Sequence, residues 1–188
     1  MTQRIRLATI IPLLLVVSFL TACGFQLRGK LELNSDLTRI TVTGTDIPYV
    51  RELSEALNNN GITVTDTAEY RLRILSVDRE IDEQTQPTAG RYERQLTFAT
   101  VYQLELSDGL SLFDPVELSN SRYISYDQDQ VNAAESEEKI TYKELSQELI
   151  YTTIRRIAGI SQIKLETEVA RARKVQQMEL EQNSESPQ

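Results

Sequence analysis

The chain has 188 residues with 20 Lys and Arg, 28 Asp and Glu, one cysteine and no histidine, giving a formal charge of −8 at pH 7. Without histidine it lacks the commonest general base at neutral pH and the commonest metal ligand, and a single thiol excludes internal disulfides and Cys/His zinc sites. The acidic balance disfavours nucleic acid and offers no general attraction to anionic headgroups, so any anionic ligand needs a local basic cluster.

The first residues have three physically distinct parts. Arg4 and Arg6 precede an apolar run, Leu7 to Leu20, broken by Thr9, Pro12 and Ser18. That run is shorter than the roughly 20 apolar residues of a membrane span. It has the length and charged lead-in of a secretory signal core. Leu20-Thr21-Ala22-Cys23 then resembles the lipobox of bacterial lipoproteins. The resemblance implies a signal peptide over residues 1–22, cleavage before Cys23, a diacylglycerol on its thiol and an acyl chain on the new amine. A single acyl chain anchors only marginally, at roughly 0.8 kcal/mol per buried CH₂, so stable attachment needs more than one. Gly24, rather than an inner-membrane-retaining Asp, follows the cysteine, and the expected destination is the outer membrane. Loss of Arg4 and Arg6 with the signal takes the charge from −8 to −10. What remains suffices for one domain burying about two-thirds of its unfolded surface.

In chain order, Leu27 to Leu33 alternates weakly and leads from the anchor into the fold. Arg39 to Gly44 reads as a strand with Ile40 and Val42 on one face. Asp46-Ile47-Pro48 reads as a helix start, because proline in the first turn gives up an N–H that has no partner there. Val50, Leu53 and Leu57 continue it at helical spacing, and Asn58 to Gly61 stops it. Ile62 to Thr65 is a short strand. Tyr70 to Ile81 is a longer one, with Tyr70, Leu72 and Ile74 facing one way before both faces turn polar. Glu83 to Gly90 reads as a hairpin loop. Arg91 to Leu106 is the clearest strand, with Leu96, Phe98, Tyr102, Leu104 and Leu106 all at even positions. Asp108-Gly109 turns the chain into Val116 to Tyr126. A polar stretch from Asp127 ends at Ser136, a candidate N-cap. Tyr142, Leu145, Leu149, Ile150, Thr153, Ile154 and Ile157 then follow a helical period up to Gly159.

From Lys164 charges dominate, and residues 164–188 are expected to form a partly disordered tail dispensable for folding. The order implies an α+β two-layer sandwich over residues 23–163. Its sheet is mostly antiparallel or mixed, of about four strands, with two helices on one face. Nucleophile-elbow, Walker and dinucleotide motifs are absent. Asp78, Glu80 and Asp82 share a strand face and read as a solvated edge rather than a hydrolytic carboxylate pair. An enzyme is not expected.

Cys23-Gly24-Phe25-Gln26-Leu27-Arg28-Gly29 resembles the mature start of the lipopolysaccharide-assembly lipoproteins, the LptE family. The likeness continues through the strand at Thr38–Thr43, the helix at Pro48–Asn60 ending in Asn-Gly, Arg122-Tyr123, and Ile154-Arg155-Arg156-Ile157. It implies a partner rather than a reaction: a plug inside the outer-membrane β-barrel LptD. Such a plug assists barrel assembly and delivery of lipopolysaccharide to the outer leaflet, is lipid-anchored and periplasm-facing, and uses no cofactor. In the family, basic side chains near the strand hairpin and before the C-terminal helix meet lipopolysaccharide phosphates. By location, Arg91 and Arg94 are the counterparts here, and arginine's fork suits phosphate. Val131 to Glu138 holds no basic residue, so the second half of that pattern is missing.

Each assignment has a plainer alternative. Arg91 and Arg94 could be solubilising strand charges paired with Glu93 or Glu105. Arg28, a candidate contact to the barrel or its lipids, could belong to an ordinary linker. Arg155 and Arg156 fit a helix C-terminus, where cations complement the dipole. For the whole protein, the runner-up is an accessory lipoprotein of envelope phospholipid transport. A lipid-anchored periplasmic hydrolase is a third reading, disfavoured by the missing histidine and nucleophile motifs.

Overall fold

The computed structural model describes residues 37–83 and 91–185. Leu27–Leu33, the loop at 84–90, Cys23 and Arg28 lie outside them. Strand β1 (Arg39–Gly44) runs parallel to both its neighbours, β2 (Thr63–Val64) and β3 (Tyr70–Glu83). β4 (Arg91–Leu106) and β5 (Val116–Asp127) continue the sheet antiparallel, in the order β2-β1-β3-β4-β5. The fold is the expected α+β class with a mixed sheet. It has five strands rather than about four, because β2 adds a two-residue ladder at the edge of β1.

Helix α1 (Ile47–Asn59) carries the chain from β1 to β2. Asp46 caps it by accepting from the Tyr49 amide at 3.0 Å, and Pro48 occupies its first turn. Gly61, at φ +89°, takes the left-handed conformation just past its end. Tyr49, Leu53 and Leu57 form its buried face. At the end of β1 a side chain on Gly44 would meet Ile74 Cβ at 2.8 Å and Val50 Cγ2 at 3.0 Å. Glycine there is what lets β3 and α1 close on the strand.

The alternation of β4 holds throughout, with Leu96, Phe98, Thr100, Tyr102, Leu104 and Leu106 all buried. Against them pack Leu145, Leu149, Ile150, Ile154 and Ile157 of helix α2 (Val131–Ala158). In β3 a bulge between Ile74 and Ser76 switches the inward register. Leu72 and Ile74 face the core before it; Val77, Arg79 and Ile81 stand opposite Thr100, Phe98 and Leu96 after it. One extra residue moves every later side chain to the other face. That is why the hydrophobic alternation of this strand fades halfway along the sequence.

Helix α2 begins at Val131, after a 3₁₀ turn over Gln128–Gln130, and not at Ser136. The Ser136 hydroxyl donates to Asn132 O within the helix at 2.8 Å, so it caps nothing. Ala133, Ala134 and Glu135 are good helix formers, and Ala134 is buried. Gly159 ends the helix, its N–H bonded to Arg155 O at 3.0 Å.

Where a loose tail is expected, Gln162–Glu185 forms a third helix, α3. Leu165 and Ala172 are buried and Val169 is partly so, a sparse stripe at helical spacing. Arg171–Glu168 and Gln162–Glu166 pairs support its exposed side. It packs on the β4–β5 connection: Arg171 donates to Leu112 O at 3.3 Å, Arg173 pairs with Asp108, and Lys164 lies 5.5 Å from the Phe113 ring centre. Among the described residues no helix is long and apolar enough to cross a membrane.

At the centre of the core Tyr49 packs on Phe98 with ring centres 5.8 Å apart. Its hydroxyl is buried beside Thr100 and Thr153 but makes no well-formed hydrogen bond. Burial pushes the Tyr49 phenol up to about 12. Up to pH 10 folded and unfolded chains both keep this proton. Between pH 10 and 12 only the unfolded chain releases it, so stability falls by about 1.4 kcal/mol per pH unit. Tyr49→Phe should therefore keep stability at pH 7 and flatten the alkaline decline, as urea midpoints at pH 7, 10 and 11.5 would show. An equally steep decline in the variant would contradict this.

Candidate functional site

Beyond Asp78, β3 is exposed on both faces, and with β4 it forms a wing. Asp78, Glu80 and Asp82 are exposed along this wing. Among the described residues no group of three or more His, Cys, Asp or Glu is placed to hold a metal ion. Helix α2 touches the wing where the Tyr142 hydroxyl donates to Glu80 O at 2.8 Å.

Arg94 lies at the outer end of the wing, opposite Glu83. It is an even position of β4, like Leu96 and Phe98, and therefore stands on the helix side. Its side chain is only 18% exposed. The guanidinium meets Glu83 at 2.6 Å and Glu138 of α2 at 3.8 Å, and stacks 3.5 Å from the Tyr126 ring centre. Its Nε is buried without a partner. Neither Glu93 nor Glu105, the partners weighed from sequence, is involved. Glu138 was hidden from that reading because it lies 44 residues along the chain; the parity of Arg94 with Leu96 was the available clue. Arg91 faces Asp127 in the β4–β5 ladder.

Arg94 thus ties β3, β5 and the first turns of α2 together. Arg94→Met keeps much of the apolar stem but loses both ion pairs and the ring contact. The expected cost is about 1–2 kcal/mol, within the range for partly desolvated cation–π and charge-assisted contacts. Amides of 131–140 should exchange faster in the variant. Unchanged exchange there would remove the clamp role.

Arg71, Arg73, Arg79 and Arg122 are also matched to acids. Arg79 pairs with Asp46 at 3.2 Å and stacks 5.0 Å from the Phe98 ring centre. Arg122 bridges Glu144 and Glu148 of α2, and Asn120 donates to Glu148. On the opposite sheet face Glu105, with its side chain 4% exposed, accepts from Arg71 at 3.1 Å and lies 4.0 Å from Arg73. These residues line a recess of about 400 Å³ with Thr41, Thr43 and Asp66. Two arginines and two carboxylates cancel there. Arg155 sits in the last turn of α2 and donates to Thr152 Oγ1, as a residue serving the helix end would.

A mixed five-stranded sheet, helices packed on it and surfaces of matched charge define a class: the small two-layer α+β domain seen in several bacterial lipoproteins. A minor lipoprotein from Acinetobacter baumannii is 19% identical, with 66% of this chain and 92% of that one covered, at a TM-score of 0.59. Lipoprotein B from Nitrosomonas europaea is 21% identical, covering 72% and 90%, at 0.60. Rare lipoprotein B from Shewanella oneidensis is 18% identical, covering 64% and 93%, at 0.56. At these identities the likeness is one of fold. No curated protein matches the sequence. The family model for LptE, lipopolysaccharide-assembly, matches residues 34–157. The chain belongs to the LptE family.

Proposed function

We propose that this protein is anchored in the outer membrane through acyl chains on Cys23 and works as the partner of the LptD β-barrel. There it assists barrel assembly and the delivery of lipopolysaccharide to the outer leaflet. The family match over residues 34–157 carries the reading. The surface chemistry supports it, since barrel interiors are polar and this domain's arginines are largely neutralised by its own acids. The role is binding and chaperoning, with no catalytic residue and no cofactor beyond the lipid on Cys23.

Arg91 and Arg94 are assigned to lipopolysaccharide phosphates, and Arg28 to the barrel or its neighbouring lipids. For Arg94 this requires an exchange of partners, with phosphate displacing Glu83 or Glu138. The decisive experiment is purification of the tagged full chain from detergent extracts of its own cells. A large β-barrel should co-purify in equal amount, and Cys23→Ser should take up no fatty-acid label. Recovery of the chain without a barrel, or with components of phospholipid transport instead, would overturn the assignment.

A further inference from the structure

A second, smaller cavity lies at the opposite end of α2, where α2 turns into α3 over the end of the sheet. Its volume is about 210 Å³, and Leu104, Phe113, Val116, Ile157 and Ile160 supply most of its wall. Tyr102 closes its floor, with the Arg156 guanidinium beside the phenol. Arg156 and Lys164 stand exposed at its rim with Asp114. Neither cation has a carboxylate partner among the described residues, whereas Arg71, Arg79, Arg94, Arg122, Arg171 and Arg173 all do. Other cations such as Arg39, Arg51 and Lys143 also stand without a carboxylate among the described residues, but Arg156 and Lys164 are the two that flank an apolar hollow.

We propose that this cavity binds the chain of a single-chain anionic amphiphile, with its carboxylate or phosphate held between Arg156 and Lys164. The wall is mostly hydrocarbon, so an apolar segment there removes surface from water. The volume is below the roughly 300–1,000 Å³ of sites that enclose drug-sized ligands, which limits the occupant to one chain rather than a multi-chain lipid. Charge fixes the head: two cations against one carboxylate leave the rim positive. Ile160 and Lys164 lie beyond residue 157, where the family match ends. The pocket is thus completed by the segment that leads into α3, and it stands apart from the Arg91–Arg94 assignment.

The test uses the full chain in nanodiscs of neutral phosphatidylcholine and a diazirine-bearing decyl phosphate, with labelled peptides mapped by mass spectrometry. Label should fall within residues 104–116 and 156–164 and be displaced by excess decyl phosphate. Decanol should compete at least tenfold less well, and inorganic phosphate not at all. Arg156→Gln with Lys164→Gln should reduce labelling at least tenfold, and Val116→Trp should abolish it by filling the cavity. The double variant touches only exposed side chains, so it remains informative if the tryptophan variant misfolds. Label confined to other regions, equal competition by decanol, or full labelling of the double variant would overturn the proposal. So would a crosslink showing a side chain of a co-purifying protein seated in the cavity. The double variant should still co-purify the barrel, which separates failure here from failure of the partner assignment.

Discussion

Deleting residues 162–188 should lower the free energy of unfolding by about 3–5 kcal/mol, the scale set by losing a buried leucine together with the surface it covers. The deleted segment begins with α3, whose Leu165 is fully buried and whose Ala172 is nearly so. Removing it uncovers Leu112 in the β4–β5 connection and breaks the Arg171–Leu112 and Arg173–Asp108 bonds. Leu165→Ala alone should reproduce about 2–4 kcal/mol of the loss. Truncation after Gln176, by contrast, removes turns in which Met178 and Leu180 are exposed, and should cost less than about 0.5 kcal/mol. Urea unfolding of the three variants followed by circular dichroism distinguishes the cases. If the long deletion unfolds at the wild-type midpoint, α3 contributes nothing to the domain, and the expectation of a dispensable tail was right.

Phe98→Ala should cost about 3–5 kcal/mol, the upper range for a buried aromatic. Phe98 is 1% exposed and lies under Tyr49 of α1, while Arg79 covers its ring from the wing side. Arg79 in turn pairs with Asp46, the residue capping α1. A cavity at 98 therefore loosens two neighbours at once, the helix start and the β3 wing. Phe98→Leu keeps most of the volume and should cost less than about 2 kcal/mol. Thermal unfolding should show a large drop for alanine and a small one for leucine. Similar small effects from both would mean that the core collapses around the site and that Phe98 is not its keystone.

The sequence disclosed elements wherever one local pattern dominates. The six-position alternation of β4, the Asp46-Ile47-Pro48 start of α1 and the repeat from Leu145 to Ile157 are all short-range signals, and each element stands where the pattern puts it. Family membership was legible for the same reason, from the residues around Cys23 and the order of the elements. The candidate contacts were less legible. Arg94 reads as a charge on a strand, and its partners became visible only when β3, β5 and α2 converged on it.

By itself, then, the sequence determined the α+β class, most strand and helix positions, and an acidic chain with no histidine and a single cysteine. Tertiary structure decided the rest. The bulge at Ile74–Ser76 reversed the faces of half a strand, because its register is set by pairing with β4 rather than by the residues of β3 alone. The segment after Lys164 became a helix because Leu165, Val169 and Ala172, too sparse to suggest a core, meet a complementary surface at Leu112. Helices owe most of their stability to such packing and less to propensity. The surface they pack on is made by residues some 50 positions away in the chain, which no local pattern reports.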